Sequence, residues 1–445
     1  MSIGPFTISY RGNIGLTEVE ERILEYVNRV GSLLVERVVD EVDDPIQENR
    51  VWVDGTLALY KDSAPMKIRN RFGGWMRRVR RAYQIEGERG RWYPLDEKVG
   101  TDRCCGYSPL VSYLIALFGS DESFGRSSKK LSKSLGFKIS ETAVQRNTEA
   151  LGRRLENRPL KAIEARRQSE PCDLMVVEID GTTSPQIKEE QGVTGRESLK
   201  QPTEYKECNV VVIEKQHRNG DEENPLRYLP HDRWTGAMYG PRILFDQYVH
   251  ESGIRMGQLS ANRVVFVADG AKHNWEIRLN NFPDAVEILD VYHALEHLGD
   301  FCALVADVSK GKQQFARWRR MMLEGDTLQL IHELKLERPN LSDSDAGQKH
   351  INYFYNNRNR MAYDQYRESG YPIGSGLVEG SCKYVVGKRF KGSGMRWKRA
   401  DNRAVLRARL AEINEELIEA FIPIRRRTSL VDPESSNRQN GFASA

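Results

Sequence analysis

The chain has 445 residues, 39% hydrophobic and 29% charged, with a formal net charge of +4. This composition fits a soluble globular protein of two to four domains. It excludes a membrane-spanning helix: no apolar run nears the roughly 20 residues needed, and the longest candidate is 112–119.

The start, MSIGPFTISYRG, has no apolar core behind a basic stretch. No secretory leader is expected, and the product is expected inside the cell. Residues 1–60 are predicted as an N-terminal helical region. Within LTEVEERILEYVNRVGSLLVERVV, Ile23, Val27, Val30, Leu33 and Leu34 recur at helical spacing. Residues 61–100 are predicted as a small basic β-rich segment, with alternating aromatic-bearing runs around Gly-Gly. It contains RNRFGGWMRRVRRAY, a local cationic stretch that marks either a polyanion partner or a solvated face.

Residues 101–168 turn helical. In SSKKLSKSLGFKISETAVQRNTEALGRRL, Leu131 and Leu135 share a face, Gly136 breaks the helix, and Ser140 is a natural N-cap. Ala143, Val144 and Leu151 form the apolar side of the next helix, with Gln145, Arg146 and Asn147 expected to be exposed. This is either a helix-turn-helix DNA reader or an ordinary helical hairpin. A basic helical linker follows over 157–170.

From 170 to 420 the composition shifts. DLMVVEIDG, YKECNVVVIEKQ, NRVVFVADGAKHNW and AVEILDVYHALEHL carry strand-like apolar runs, with a helix in ILFDQYVHESG. Such runs between helices predict an α/β core, a sheet covered by helices on both faces. Residues from about 301 to 367 read as charged helices, and 421–445 as a disordered tail. The six cysteines, Cys104, Cys105, Cys172, Cys208, Cys302 and Cys382, include no C-x-x-C pair. They are expected as reduced thiols, with no structural zinc.

Asp180 and Asp269 share a context: each ends an apolar run and precedes Gly. A carboxylate is costly within a sheet and is tolerated at its mouth, although Asp-Gly is also a common turn. A third acid, Glu379, follows the Gly-rich IGSG in YPIGSGLVEGSCKYVVGKRFKGSGMRW. It heads a cationic stretch: 383–409 holds ten Lys or Arg and one acid, Asp401. Three oxygen donors suit two Mg²⁺ or Mn²⁺ ions, which can activate an attacking oxygen and stabilise a leaving one in phosphodiester chemistry. Lys383, Lys388, Arg389, Lys391, Arg396, Lys398 and Arg399 would then hold the DNA backbone. The plainer alternative is a helical Glu379–Lys383 pair.

These residues resemble the bacterial insertion-sequence transposases of the Kra type, a DDE group more distantly related to Mutator-type enzymes. The most specific block runs from 353 to about 410 and includes YFYNNRNRMAYDQYRESG with the Glu379 stretch; DGAKHNW with LDVYHALEHL, and EIDGT, add to it. WYPLDEKVG and the helix-turn-helix-like segment also fit. The resemblance implies a ribonuclease H-like catalytic core at 170–420, with a helical insertion at about 301–367. It implies a DDE triad of Asp180, Asp269 and Glu379 holding the metals, with Asp290 and His293 in support. It further implies Gln145 and Arg146 on DNA, terminal inverted repeats and target DNA as partners, a homo-oligomer on DNA, and a bacterial, nucleoid-associated location. Relatives carry a C-x-x-C zinc-ribbon pattern before the segment matching WYPLDE, which is absent here. Trp275 and Trp397 are expected in the core or stacked on a base. Two rival readings stand beside this one: a domesticated, inactive DNA-binding protein, and a carboxylate-pair hydrolase using Asp180 with Glu178 or Glu379.

Overall fold

The computed structural model describes residues 15–102, 104–156, 170–189, 193, 197, 199–220, 227–421 and 428–430. The chain forms two compact units, 1–151 with 416–445, and 152–415.

The first unit opens with α1 (Leu16–Asp40), whose Val35 and Val39 cover Met66, Ile68 and Met76 of a sheet. That sheet has the order β3-β2-β1-β9, from β1 (Arg50–Val53), β2 (Thr56–Arg69), β3 (Trp75–Ile85) and β9 (Thr428–Ser429). Residues 50–60, expected within the helical region, thus already belong to the sheet. Most of the tail read as disordered lies outside the described residues, but Thr428 and Ser429 pair with Val53 and Trp52. Asn70 closes the β2–β3 hairpin, its Oδ1 accepting from the N–H groups of Phe72 (3.0 Å) and Gly74 (3.2 Å).

Four helices follow: α2 (Pro94–Val99), α3 (Pro109–Asp121), α4 (Phe124–Leu135) and α5 (Glu141–Glu156). Gly136 ends α4 at φ 72°, where glycine avoids Cβ strain. Ser140 Oγ accepts from Ala143 N at 3.2 Å. Leu131, Leu135 and Val144 bury against Val111 and Ile115 of α3. Arg146 is exposed and Gln145 half-buried. Asn147 corrects the expectation: it is buried, and its amide donates to Ala143 O one turn back at 2.8 Å, the way a polar side chain on a core-facing helix position is satisfied. The basic linker, 157–169, lies outside the described residues.

The second unit is built on a five-stranded sheet of order β6-β5-β4-β7-β8: β4 (Leu174–Ile187), β5 (Thr203–Arg218), β6 (Tyr228–Met238), β7 (Val264–Ala268) and β8 (Val286–Leu289). β4, β5 and β6 are antiparallel; β7 and β8 run parallel to β4. The sheet is buried along Val176, Val211 and Phe266 of its interior strands and Ile288 of the edge strand β8. The helices α6 (Arg242–Arg255), α7 (Lys272–Asn281) and α8 (Val291–Ala303) follow β6, β7 and β8 in turn. A helical run comes next: α9 (Val308–Leu323), α10 (Thr327–Glu337), α11 (Ser344–Asn357) and α12 (Tyr363–Glu368). Its Trp318 and Phe354 join the same core as Phe301. The chain then enters α13 (Gly376–Ser381), a π-helical segment (Cys382–Gly387), α14 (Lys388–Phe390) and α15 (Arg399–Ile413). Among the described residues no helix is long and apolar enough to cross a membrane, and the six cysteines are free thiols.

Candidate active site

Alternation along β4 puts Glu178 and Asp180 on one face. Asp180 does not end the strand, as the Asp-Gly signal predicted. β4 continues to Ile187, because the ladder with β5 runs unbroken through Asp180↔Val210 to Ile187↔Thr203. Its Oδ1 accepts from Gly181 N at 2.6 Å. Asp269 does follow its strand, and its Oδ1 accepts from Ala271 N (2.9 Å) and Asn274 Nδ2 (2.7 Å) at the start of α7. The parallel β4–β7 register ends at Glu178↔Val267, two residues before each aspartate. The β7–β8 register ends at Ala268↔Leu289, so Asp269 and Asp290 leave adjacent strands side by side.

Asp290 is fully buried and caps α8 through Tyr292 N at 3.0 Å. Its Oδ2 lies 2.5 Å from His293 Nδ1. Burial alone would raise the Asp290 carboxyl; hydrogen bonds from His293, Ser375 and Tyr292 N outweigh it, and the net shift is downward. The same bond to Asp290 pushes His293 up to about 9 against the opposing effect of burial, with the Asp269 and Asp180 charges adding to the rise. At neutral pH His293 is therefore a cation facing carboxylates. Burial first, and the Asp269 charge second, raise the Asp180 carboxyl, while Gly181 N and His293 pull it down.

Two of these acids pin the helix that carries Glu379. The first N–H groups of a helix have no partner within it. Glu178 Oε2 accepts from Val378 N at 2.8 Å, and Leu377 N also bonds this carboxylate. Asp290 accepts from Ser375 N (3.2 Å) and Ser375 Oγ (2.6 Å). Glu178 is 1% exposed, and burial pushes its carboxyl up to about 8 despite the two N–H donors. Cys382, three residues beyond Glu379 and so on the next turn of the same face, approaches Asp180 Oδ2 with its Sγ at 3.7 Å. Glu379 itself is half-buried and pairs with Lys383 at 3.3 Å. The plainer Glu379–Lys383 pairing is thus present, but on a helix whose start is tied to β4 and to the turn after β8.

Residues 11–195 match a family model described as Uncharacterised protein family (UPF0236). The match is less than half of the chain. It takes in Glu178 and Asp180 and stops short of Asp269, Asp290, His293 and Glu379. No curated protein matches the chain.

Among the cations singled out in the sequence, Lys383, Lys388, Lys391, Arg396, Lys398 and Arg399 are exposed. Lys391 Nζ bonds Thr182 Oγ1 at 2.7 Å, two residues from Asp180. Arg396 is engaged by the carbonyls of Leu199 (2.8 Å) and Gln201 (3.1 Å). Arg389 corrects the expectation: it is 1% exposed, and its guanidinium lies 4.8 Å from the Trp397 ring, in the core and away from any surface that could grip DNA. Trp275 and Trp397 are both buried. Sequence reasoning named Glu178 only as half of a rival hydrolase pair and missed Ser375. Their roles depend on contacts 200 residues apart in sequence (Glu178–Val378) and 85 apart (Asp290–Ser375) that no local pattern announces. Among the described residues, no three His, Cys, Asp or Glu side chains converge as a ready-made metal site.

Proposed function

We propose that the chain is a DDE transposase of an insertion sequence, acting on the ends of its element and on target DNA. The observation that carries this reading is the docking of the Glu379 helix: Cys382, one turn on, reaches Asp180, while Asp180 and Asp269 each follow the last rung of a parallel register. The strand order, counted from β4 as 3-2-1-4-5 with the second strand antiparallel, supports a ribonuclease H-like core.

Asp180, Asp269 and Glu379 are the residues that would hold divalent Mg²⁺ or Mn²⁺. Their donor chemistry fits a hard cation. The hydrogen bonds from Ala271 N and Asn274 Nδ2 to Asp269 both fall on Oδ1, and Asp180 sits where burial and a neighbouring acid disfavour its charge, an environment a cation relieves. When bound, such ions supply Lewis-acid stabilisation of attacking and leaving oxygens. The chain's own residues do the positioning: Glu178 and Asp290 fix the helix start, His293 holds a positive charge against the acids, and the exposed Lys and Arg beyond Glu379 hold phosphates. Cleavage would free a 3′-OH at the element end, and that hydroxyl would attack target DNA in line, with no covalent protein intermediate. Handling two ends calls for a homo-oligomer.

The test is nicking of a duplex carrying the element's terminal repeat in Mn²⁺ or Mg²⁺. Wild type is expected to cut, and D180N, D269N and E379Q are expected to fall to background while still binding the duplex. A wild-type protein that binds the ends but never cuts would favour the inactive DNA-binding descendant. Turnover of a glycoside without metal would favour the carboxylate-pair hydrolase.

A further inference from the structure

The β2–β3 hairpin carries an unusual charge pattern. Between residues 63 and 85 there are seven Lys or Arg and no acid. Strand alternation divides them between two faces. On the face toward α1 and α2 the arginines are spent internally. Arg78 donates to Val39 O, and Arg80 pairs with the buried Asp96 at 3.0 Å and lies 4.1 Å from the Tyr93 ring.

On the other face Arg69 donates to the carbonyls of Gly73 (3.0 Å) and Lys138 (3.2 Å), and Arg81 to Asn49 Oδ1 (2.7 Å), but two further cations there stand apart. Lys67 and Arg77 are direct cross-strand partners, both exposed, and neither forms an ion pair with any described residue. Arg71 in the turn, half-buried, likewise forms no ion pair with any described residue. Lys67 rests its ammonium 4.6 Å from the Trp75 ring, and Val79 beside them is 65% exposed. Like charges placed opposite each other weaken a β-ladder. Setting these two charges opposite each other costs the ladder, so the use of the pairing lies outside the fold.

We propose that this outer face of the β2–β3 ribbon is a docking surface for double-stranded DNA, with Lys67, Arg71 and Arg77 on backbone phosphates. A two-stranded ribbon fits the major groove, and phosphate neutralisation converts the like-charge pair from a cost into binding. The reading deepens the transposase proposal by assigning a duplex contact outside the carboxylate site, and it survives on its own if that chemistry is wrong.

The test uses the full-length protein and a fluorescein-labelled mixed-sequence duplex, followed by anisotropy across salt concentrations. K67Q/R77Q is expected to raise Kd about tenfold at moderate salt and to flatten the log–log salt slope by about two. Its thermal midpoint should stay level or rise, because a repulsive pair is gone. R80Q serves as the contrast: it should melt early, having lost the partner of Asp96. Unchanged Kd and slope in K67Q/R77Q would overturn the proposal. So would binding to phosphatidylserine vesicles, but not to duplex, that the same substitutions abolish. If wild type cuts no DNA yet K67Q/R77Q still weakens duplex binding, the transposase reading fails and this one stands.

Discussion

Glu178 ties the stability of the unit spanning 152–415 to pH. Its carboxyl is pushed up to about 8 by burial, from an ordinary 4.5. A raised carboxyl contributes stability that is complete below pH 4.5 and is lost as pH rises through about 8. Glu178→Gln keeps an acceptor for Val378 N without the charge. In urea unfolding at a series of pH values, the variant should gain on wild type by a few kcal/mol, as an order of magnitude, between about pH 5 and pH 9. Parallel curves would show that the burial of this charge is relieved some other way. His293 behaves oppositely in origin: its bond to Asp290 raises it to about 9, so its contribution is full below its ordinary 6.5 and fades as pH passes 9. Asp290→Asn should bring the His293 imidazole titration, read by NMR, down toward 6.5. A titration still near 9 in that variant would assign the shift to Asp180 and Asp269 instead.

Between residues and the whole lies the interrupted helix beyond Glu379. Its π segment, Cys382–Gly387, leaves carbonyls out of the ordinary helical pattern. Arg409 of α15, fully buried, answers two of them: Nε donates to Val385 O at 2.9 Å and Nη2 to Tyr384 O at 2.7 Å. Arg409→Met should cost about 2–4 kcal/mol in denaturant unfolding. Lysine should not restore it, since a point charge lacks the planar fork; wild-type stability in Arg409→Lys would refute that role.

Local pattern revealed the helix spacing of α1, the Gly136 stop and Ser140 cap, and the buried runs of β4, β5, β7 and β8. It missed β6, because that edge strand is exposed over its first half and carries Pro230 opposite Gln216, beside a register shift. Such a proline is tolerated only at an edge or bulge and argues against a strand when met in sequence. Composition also could not tell Arg389 and Arg409 from the exposed Lys383 and Lys398, because burial is decided by Trp397 and the π carbonyls, which belong to the tertiary structure. The candidate site was legible as three acids with Asp290 and His293 in support; that Glu178 and Asp290 tie down the helix carrying the third was not.

At the scale of the molecule, the UPF0236 match and the carboxylates divide the chain differently. The match covers 11–195, while the acids of the proposed site extend from Asp180 to Glu379 within the unit spanning 152–415. If that unit takes up divalent cations, they stabilise it by mass action. Adding Mn²⁺ should raise the thermal midpoint of wild type in a concentration-dependent way and leave D180N/D269N unmoved. An equal rise in both would place the ion elsewhere.

The three acids differ in how firmly the chain grips them. Asp180 is set in the middle of a fourteen-residue ladder, Asp269 is held at its turn by Asn274, and among the described residues the Glu379 side chain has only the exposed Lys383 as its ion-pair partner. Under the proposed reading, assembly of the trio would therefore call first on the Glu379 side chain, the least tightly held of the three. If the proposed cations bind, the change they bring should fall on that rotamer and on the lysine it lets go, and spare the ladder that holds Asp180.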